Sequence, residues 1–156
     1  MAVNRKGAVV NRISFRPLEK TDFDKGFYEV LGQFTRTGKV TKEMFEKRFD
    51  EISKYPMYHP YVAEDRGKIL CTATLVIEDK FIHECSRSAH IEDIAVDYAY
   101  RGKGIGKKLV NFLKEKAKEA GCYKILMNCK DADRQFYEAM KMPMLGYEMR
   151  HYFPDQ

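Results

Sequence analysis

The residues in this chain whose types and spacing suit chemistry lie in one stretch, H-I-E-D-I-A-V-D-Y-A-Y-R-G-K-G-I-G-K-K-L, from His90 to Leu109. Glu92 and Asp93 are adjacent carboxylates inside a strand-like apolar segment of Ile91, Ile94, Ala95 and Val96. Either carboxylate can attract an ammonium ion and accept its proton, directly or through water. Adjacent strand residues point to opposite faces, so both serve one site only if a bulge interrupts the alternation. A little further on, Arg101-Gly102-Lys103-Gly104-Ile105-Gly106-Lys107-Lys108 sets three glycines at alternate positions among four cations. Glycine allows positive φ and lets a ligand approach the main chain closely. Free amides and the dipole at the start of a following helix attract phosphate. The stretch therefore predicts a phosphate-bearing ligand beside a strand that handles a proton.

Two common phosphate loops are excluded. A Walker A loop needs Ser or Thr after its lysine, and here Lys107 is followed by Lys108. The dinucleotide fingerprint fails at its last glycine, and no early βαβ unit surrounds the turn. No pair of ligands at zinc spacing accompanies His83 and Cys85, so no metal is expected.

The elements that must position this stretch follow in chain order. Residues 1–12 read as a disordered, weakly basic arm and residues 13–156 as a single domain. Ile13 to Leu18 alternates as a first strand, with Pro17 marking an end or an edge. Thr21 and Asp24 resemble a capping box for a helix carrying Phe23, Phe27, Tyr28 and Leu31. Gly32 and Gly38 bound a loop, and Thr41 caps a second helix with Phe45, Phe49 and Ile52 on one face. These two helices are placed as a lid or wall over a site. Tyr58–Glu64 and Ile69–Glu78 form a hairpin through Asp65-Arg66-Gly67-Lys68, the second strand being central. After the glycine turn, Ile105, Leu109, Phe112, Leu113, Ala117 and Ala120 give an amphipathic helix that ends at Gly121. Tyr123–Cys129 is a strand, Asp131 or Asp133 caps a short helix with Phe136, Tyr137 and Met140, and Tyr147–Phe153 is a last strand. The fold class is α/β (α+β): a mixed, mostly antiparallel sheet with helices on both faces.

Composition narrows the partners. A net charge of +5 over 156 residues allows nucleic acid, but the cations are scattered and their one dense cluster coincides with the glycine turn. A compact phosphate ligand accounts for that cluster better than a duplex. No apolar run reaches the ~20 residues needed to cross a bilayer, so no membrane partner is expected. Four cysteines without paired spacing read as reduced thiols, giving a cytoplasmic expectation with another organelle left open.

Arg101-x-x-Gly104-x-Gly106, set between a strand and a helix, resembles the acetyl-CoA signature of the GNAT acyltransferase superfamily. Longer segments resemble the eukaryotic branch of it that acetylates glucosamine 6-phosphate: Arg16-Pro17-Leu18, Gly26 to Thr35, Ala73-Thr74-Leu75, Lys80-Phe81-Ile82-His83, Ile91 to Val96, Gly121 to Ile125 and Phe136-Tyr137. The resemblance implies the GNAT fold and acetyl transfer from acetyl-CoA to the 2-amino group of the sugar phosphate, with the product feeding UDP-N-acetylglucosamine synthesis. It implies CoA pyrophosphate at the Arg101–Lys107 turn (Arg101, Gly102, Lys103, Gly104, Ile105, Gly106, Lys107), and pantetheine along Ile94, Ala95 and Val96. Phe136 and Asp133 fall on the cofactor side, Asp133 in the place of an asparagine. Tyr137 is implied as the acid that protonates the departing CoA thiolate.

For the sugar, the resemblance implies Thr35, Lys80, Phe81, Ile82, His83, Glu92, Asp93, Ile94, Asn128 and Cys129, with Asn128 standing where relatives carry an acid. Arg150 matches an arginine that the family supplies from the partner of a homodimer. Glu92 is the favoured proton acceptor and Asp93 a sugar-positioning or subunit-bridging group; the reverse assignment stays open. Without the resemblance, Tyr137 reads as core and Arg150 as a solvated strand residue. Two other classes also remain: a GNAT enzyme acting on a protein lysine or polyamine, and a non-catalytic CoA- or nucleic-acid-binding module.

Overall fold

The computed structural model describes residues 13–153, so the expected arm over residues 1–12 lies outside them. Five strands form one sheet in chain order: β1 (Arg16–Pro17), β2 (Tyr58–Asp65), β3 (Lys68–Asp79), β4 (Arg87–Val96) and β5 (Cys122–Leu126). All neighbours are antiparallel except β4 and β5, which run parallel. β3 is central and buried along most of its length, as its nearly uncharged run dictates.

Helices cover both faces. On one lie α1 (Phe27–Gly32) and α2 (Lys42–Ile52), which bury Phe27, Val30 and Phe45 against Leu18, Val62, Ile69 and Ala95. On the other lies α3 (Ile105–Glu119), whose Ile105, Leu109, Val110, Leu113 and Ala117 pack on Leu70, Ala73, Leu75 and Ile91. Each large buried aliphatic here stabilises by roughly 1.5–3 kcal/mol. Thr41 caps α2 by accepting from the Met44 N–H at 3.2 Å. The β2–β3 turn places Arg66 at φ 51° and Gly67 at φ 77°, the paired positive angles of a two-residue type I′ hairpin.

Four expectations are corrected. The first strand shrinks to Arg16–Pro17, because Pro17 lacks an N–H and the chain turns at Leu18, whose N–H goes to the Pro60 carbonyl. The first capping box is Glu19 with Asp22, not Thr21 with Asp24, and the helix splits at Gly26 (φ 86°) into a 3-10 turn, Lys20–Lys25, and α1. Asp22 is fully buried, with Arg16 donating to both its oxygens at 2.8 Å, Lys25 at 3.2 Å and the Glu19 N–H at 2.8 Å. That demand fixes the cap at Asp22. Asp133 occupies the N-cap of α4 (Arg134–Glu138), but its side chain makes no capping bond.

The last correction concerns Tyr147–Phe153, which forms no strand. A strand needs a facing edge, and this segment makes no ladder with the described sheet. Its Tyr147 and Met149, with Leu145 just before them, stay 91%, 92% and 91% exposed.

Candidate active site

Glu92 and Asp93 occupy a β-bulge. Thr74 of β3 pairs with Glu92 and Thr72 with Ala95, so β4 carries an extra residue there, and Asp93 sits at φ 50°. Aspartate is among the few L-residues that adopt this left-handed angle at small cost. Because of the insertion, Ile91 and Ile94, three apart, both pack toward the α3 face. Both carboxylates are thereby left exposed.

Immediately beyond the bulge β4 loses its neighbour. β5 pairs with β4 only from Arg87 to His90, and among the described residues no strand covers Glu92 to Val96 on that side. An uncovered edge offers alternating N–H and C=O groups to an extended ligand, in the way a peptide adds a strand.

The edge leads into the glycine turn. Gly102 (φ 70°) and Gly104 (φ 82°) take left-handed angles, and an added Cβ at either would meet no atom within 4 Å, which leaves open space above the main chain. The first helical bond of α3 runs from the Lys108 N–H to the Gly104 carbonyl at 3.1 Å. The amides of Ile105, Gly106 and Lys107 precede that bond and belong to the unsatisfied first turn, an anion site by geometry and dipole. Lys107 is exposed beside them, while Lys103 Nζ donates to the Ala99 carbonyl at 2.7 Å. Arg101 is committed otherwise than its position suggested: Nε donates to the Val96 carbonyl at 2.9 Å, and Cζ lies 3.9 Å over the Tyr98 ring. It shapes the turn before it meets any ligand.

The far wall is α4. Phe136 lies against Gly106, where an added Cβ would come within 3.3 Å of its Cζ and 3.9 Å of Val96 Cγ2. Tyr137 follows, packed edge-on to Phe136 with ring centroids 5.0 Å apart. Burial, aided by the charge of Asp133, pushes the Tyr137 phenol up to about 12. Burial likewise raises the Cys129 thiol, just after β5, with Asp133 and Asp131 adding to it. Edge, turn and α4 thus meet around Gly106.

Other expected residues lie elsewhere. Thr35 is exposed at the end of α1, its N–H bonded to Leu31 O. Asn128 and Cys129 are exposed past the end of β5. Asp79 pairs with Arg87, so the Lys80–His83 loop leaves the sheet at the start of β4, on the order of 15 Å along the strand from the bulge. There Lys80 and His90 both bind the Glu78 carboxylate, His83 stacks on Tyr123 at 4.1 Å, and Phe81 and Ile82 face outward. Arg150 is held by its own neighbours, Glu148 at 2.7 Å and the Tyr152 hydroxyl at 3.0 Å.

The sequence reading passed over Gln33, Asp97, Tyr98 and Tyr58. Tyr58 lies opposite Val76, and burial followed by the charge of Asp93 holds its phenol above the usual range. An Asp directly after a strand, as in Asp97, and an aromatic three residues before Arg101 were the available signals. Among the described residues no three ligand side chains group for a metal ion, and no helix is long and apolar enough to cross a membrane.

A family model for the acetyltransferase (GNAT) family matches residues 25–142. The chain is 44% identical over 141 residues to glucosamine 6-phosphate N-acetyltransferase of Arabidopsis thaliana, covering 88% of this chain and 95% of that protein. It is 45% identical over 145 residues to glucosamine 6-phosphate N-acetyltransferase 1 of Dictyostelium discoideum, covering 91% and 92%. The crystal structure of the Arabidopsis thaliana enzyme aligns with a TM-score of 0.87 at 43% identity, over 90% of this chain and 98% of that one. The chain belongs to the GNAT acetyltransferase family.

Proposed function

We infer that this enzyme transfers the acetyl group of acetyl-CoA to the 2-amino group of D-glucosamine 6-phosphate, giving N-acetylglucosamine 6-phosphate for UDP-N-acetylglucosamine synthesis. The observation that carries the reading is the bulge: two exposed carboxylates stand where β4 loses its neighbour and leads into the phosphate turn. The relatives, matched over 92% or more of their own length and named for this acceptor, support the choice of amine.

The residues divide the work. The first-turn amides of α3 and Lys107 hold the CoA pyrophosphate, with Gly102 and Gly104 leaving room above the backbone. The free β4 edge, Ile94 to Val96, aligns the pantetheine arm. Glu92 takes the ammonium proton so that the free amine attacks the thioester carbonyl, while Asp93 positions the sugar. An unpaired β4 amide beside the bulge donates to the tetrahedral oxyanion, a contribution worth about 3 kcal/mol for one such donor. Tyr137, kept protonated by burial, donates to the sulfur as negative charge develops there and the C–S bond breaks.

The enzyme acts as a homodimer whose partner subunit delivers its arginine at position 150 to the 6-phosphate, the fork of a guanidinium matching phosphate geometry. The outward Leu145, Tyr147 and Met149, and an Arg150 bonded only to Glu148 and Tyr152 of its own segment, support this arrangement. Light scattering should give twice the 18.3 kDa chain mass, and a monomer at working concentration contradicts the shared site. For the reaction, mass spectrometry and NMR of the product should show one acetyl on the C2 nitrogen. Acetyl on a hydroxyl, or none, overturns the reading.

A further inference from the structure

Gln33 ties the end of α1 to the segment that enters the glycine turn. It closes α1, and a helix C-cap needs no partner 64 positions away, yet its side chain has one. Gln33 Oε1 accepts from the Tyr98 N–H at 2.7 Å, Nε2 donates to Asp97 Oδ2 at 3.2 Å, and its main-chain carbonyl accepts from the Tyr98 hydroxyl at 2.9 Å. The other Asp97 oxygen accepts from the Ala99 N–H at 2.7 Å, so a single carboxylate serves both α1 and the entry to the turn. The Tyr98 ring then carries the Arg101 guanidinium, whose Nε is bonded to the last carbonyl of the β4 edge. Tyr98 is itself 60% exposed, so these polar contacts hold it in place more than burial does.

We propose that Gln33 is a positioning residue that couples occupancy of the Arg101–Lys107 turn to the placement of Phe34 and Thr35. The proposal rests on the reading that acetyl-CoA binds that turn and the acceptor binds beside Thr35. A ligand that settles on the turn further restrains Arg101, already seated on Val96 and Tyr98, and through the stacked ring it restrains Tyr98 and Asp97. Those two groups fix the Gln33 carboxamide, and Thr35 lies two residues along the same tight turn, its N–H bonded to Leu31 O at 3.0 Å. Coupling of this kind is reciprocal: an ordered acceptor wall also favours the closed turn.

Hydrogen exchange with CoA alone as the probe tests the coupling without requiring turnover. In the wild-type protein, CoA should protect residues 97–108 and also residues 31–37. Gln33→Met keeps the unbranched shape and removes both side-chain bonds; it should retain protection at 97–108 and lose it at 31–37. Tyr98→Phe, which removes one bond of the three, should fall between. In turnover at saturating acetyl-CoA, Gln33→Met should raise the sugar-phosphate KM about tenfold while the acetyl-CoA Kd stays within about twofold. Wild-type protection at 97–108 without 31–37, or equal protection at 31–37 in Gln33→Met, overturns the clamp alone. No protection at 97–108 in the wild type overturns the cofactor reading and the clamp with it.

Discussion

Gly106 and Phe136 approach so closely that an added Cβ at Gly106 would stand 3.3 Å from the Phe136 ring. Gly106 has an ordinary helical backbone and needs no special angle; its lack of a side chain sets how near α4 comes to the turn. Tyr137 rides on that helix, so the third glycine of the turn also sets where the proposed acid stands. Gly106→Ala should keep the fold, since alanine favours the helix, but shift the Phe136 edge by a few tenths of an ångström. The expected loss in kcat/KM for acetyl-CoA is about threefold to tenfold, given that a 1 Å misplacement costs up to 100-fold. Steady-state kinetics with matched thermal melts checks it, and unchanged kinetics denies the contact a role.

Tyr137→Phe should lower kcat by about 100-fold while barely raising the acetyl-CoA KM. Burial pushes the phenol up to about 12, so it is fully protonated across the neutral range. The loss should therefore be uniform from pH 7 to pH 9, and no limb of the wild-type profile in that window belongs to Tyr137. Because the folded phenol holds its proton more tightly than the unfolded one, the stability it contributes is whole below pH 10 and falls as pH rises toward 12. A kcat that is unchanged in Tyr137→Phe removes the acid role.

The bulge makes Glu92 and Asp93 separable. Glu92→Gln should cut kcat by about 100-fold, the span of a lost general base, with little change in sugar-phosphate KM. Asp93→Asn keeps a residue that tolerates the left-handed angle at φ 50° and should mainly raise that KM. The opposite pattern would exchange the two roles.

Asp22 tests the scaffold rather than the chemistry. Burial alone would raise its carboxyl, but the hydrogen bonds from Arg16, the Glu19 N–H and Lys25 outweigh burial and hold it below the usual carboxylate range. Its stabilisation is present above the unfolded value of about 3.9 and is lost as pH falls through the lowered folded value. Asp22→Asn leaves Arg16 without its buried partner and should cost roughly 3–5 kcal/mol in urea unfolding at pH 7. A shift within experimental error would make the network incidental.

Features set by neighbouring residues were legible in the sequence. The Asp65–Lys68 hairpin, the Thr41 cap, the apolar stripe of α3 and Gly121 (φ 77°) after that helix all follow from chemistry within a few positions. The glycine turn belongs with them, since closely spaced glycines announce the left-handed angles found at Gly102 (φ 70°) and Gly104 (φ 82°). What escaped depends on distant partners. Asp22 displaced Asp24 as the first cap because Arg16 and Lys25 surround it. Tyr147–Phe153 alternates like a strand yet meets no edge of its own sheet. Gln33 gives no local sign of its contact with Tyr98, and the bulge was foreseeable only as the condition under which both carboxylates face one site.

Release of free CoA thiol from acetyl-CoA, followed with glucosamine 6-phosphate, spermidine and a lysine peptide in parallel, tests the assignment most directly. Thiol release should be rapid and stoichiometric with the sugar phosphate and near background with the other two amines. Background release with glucosamine 6-phosphate, or faster release with either alternative amine, contradicts it.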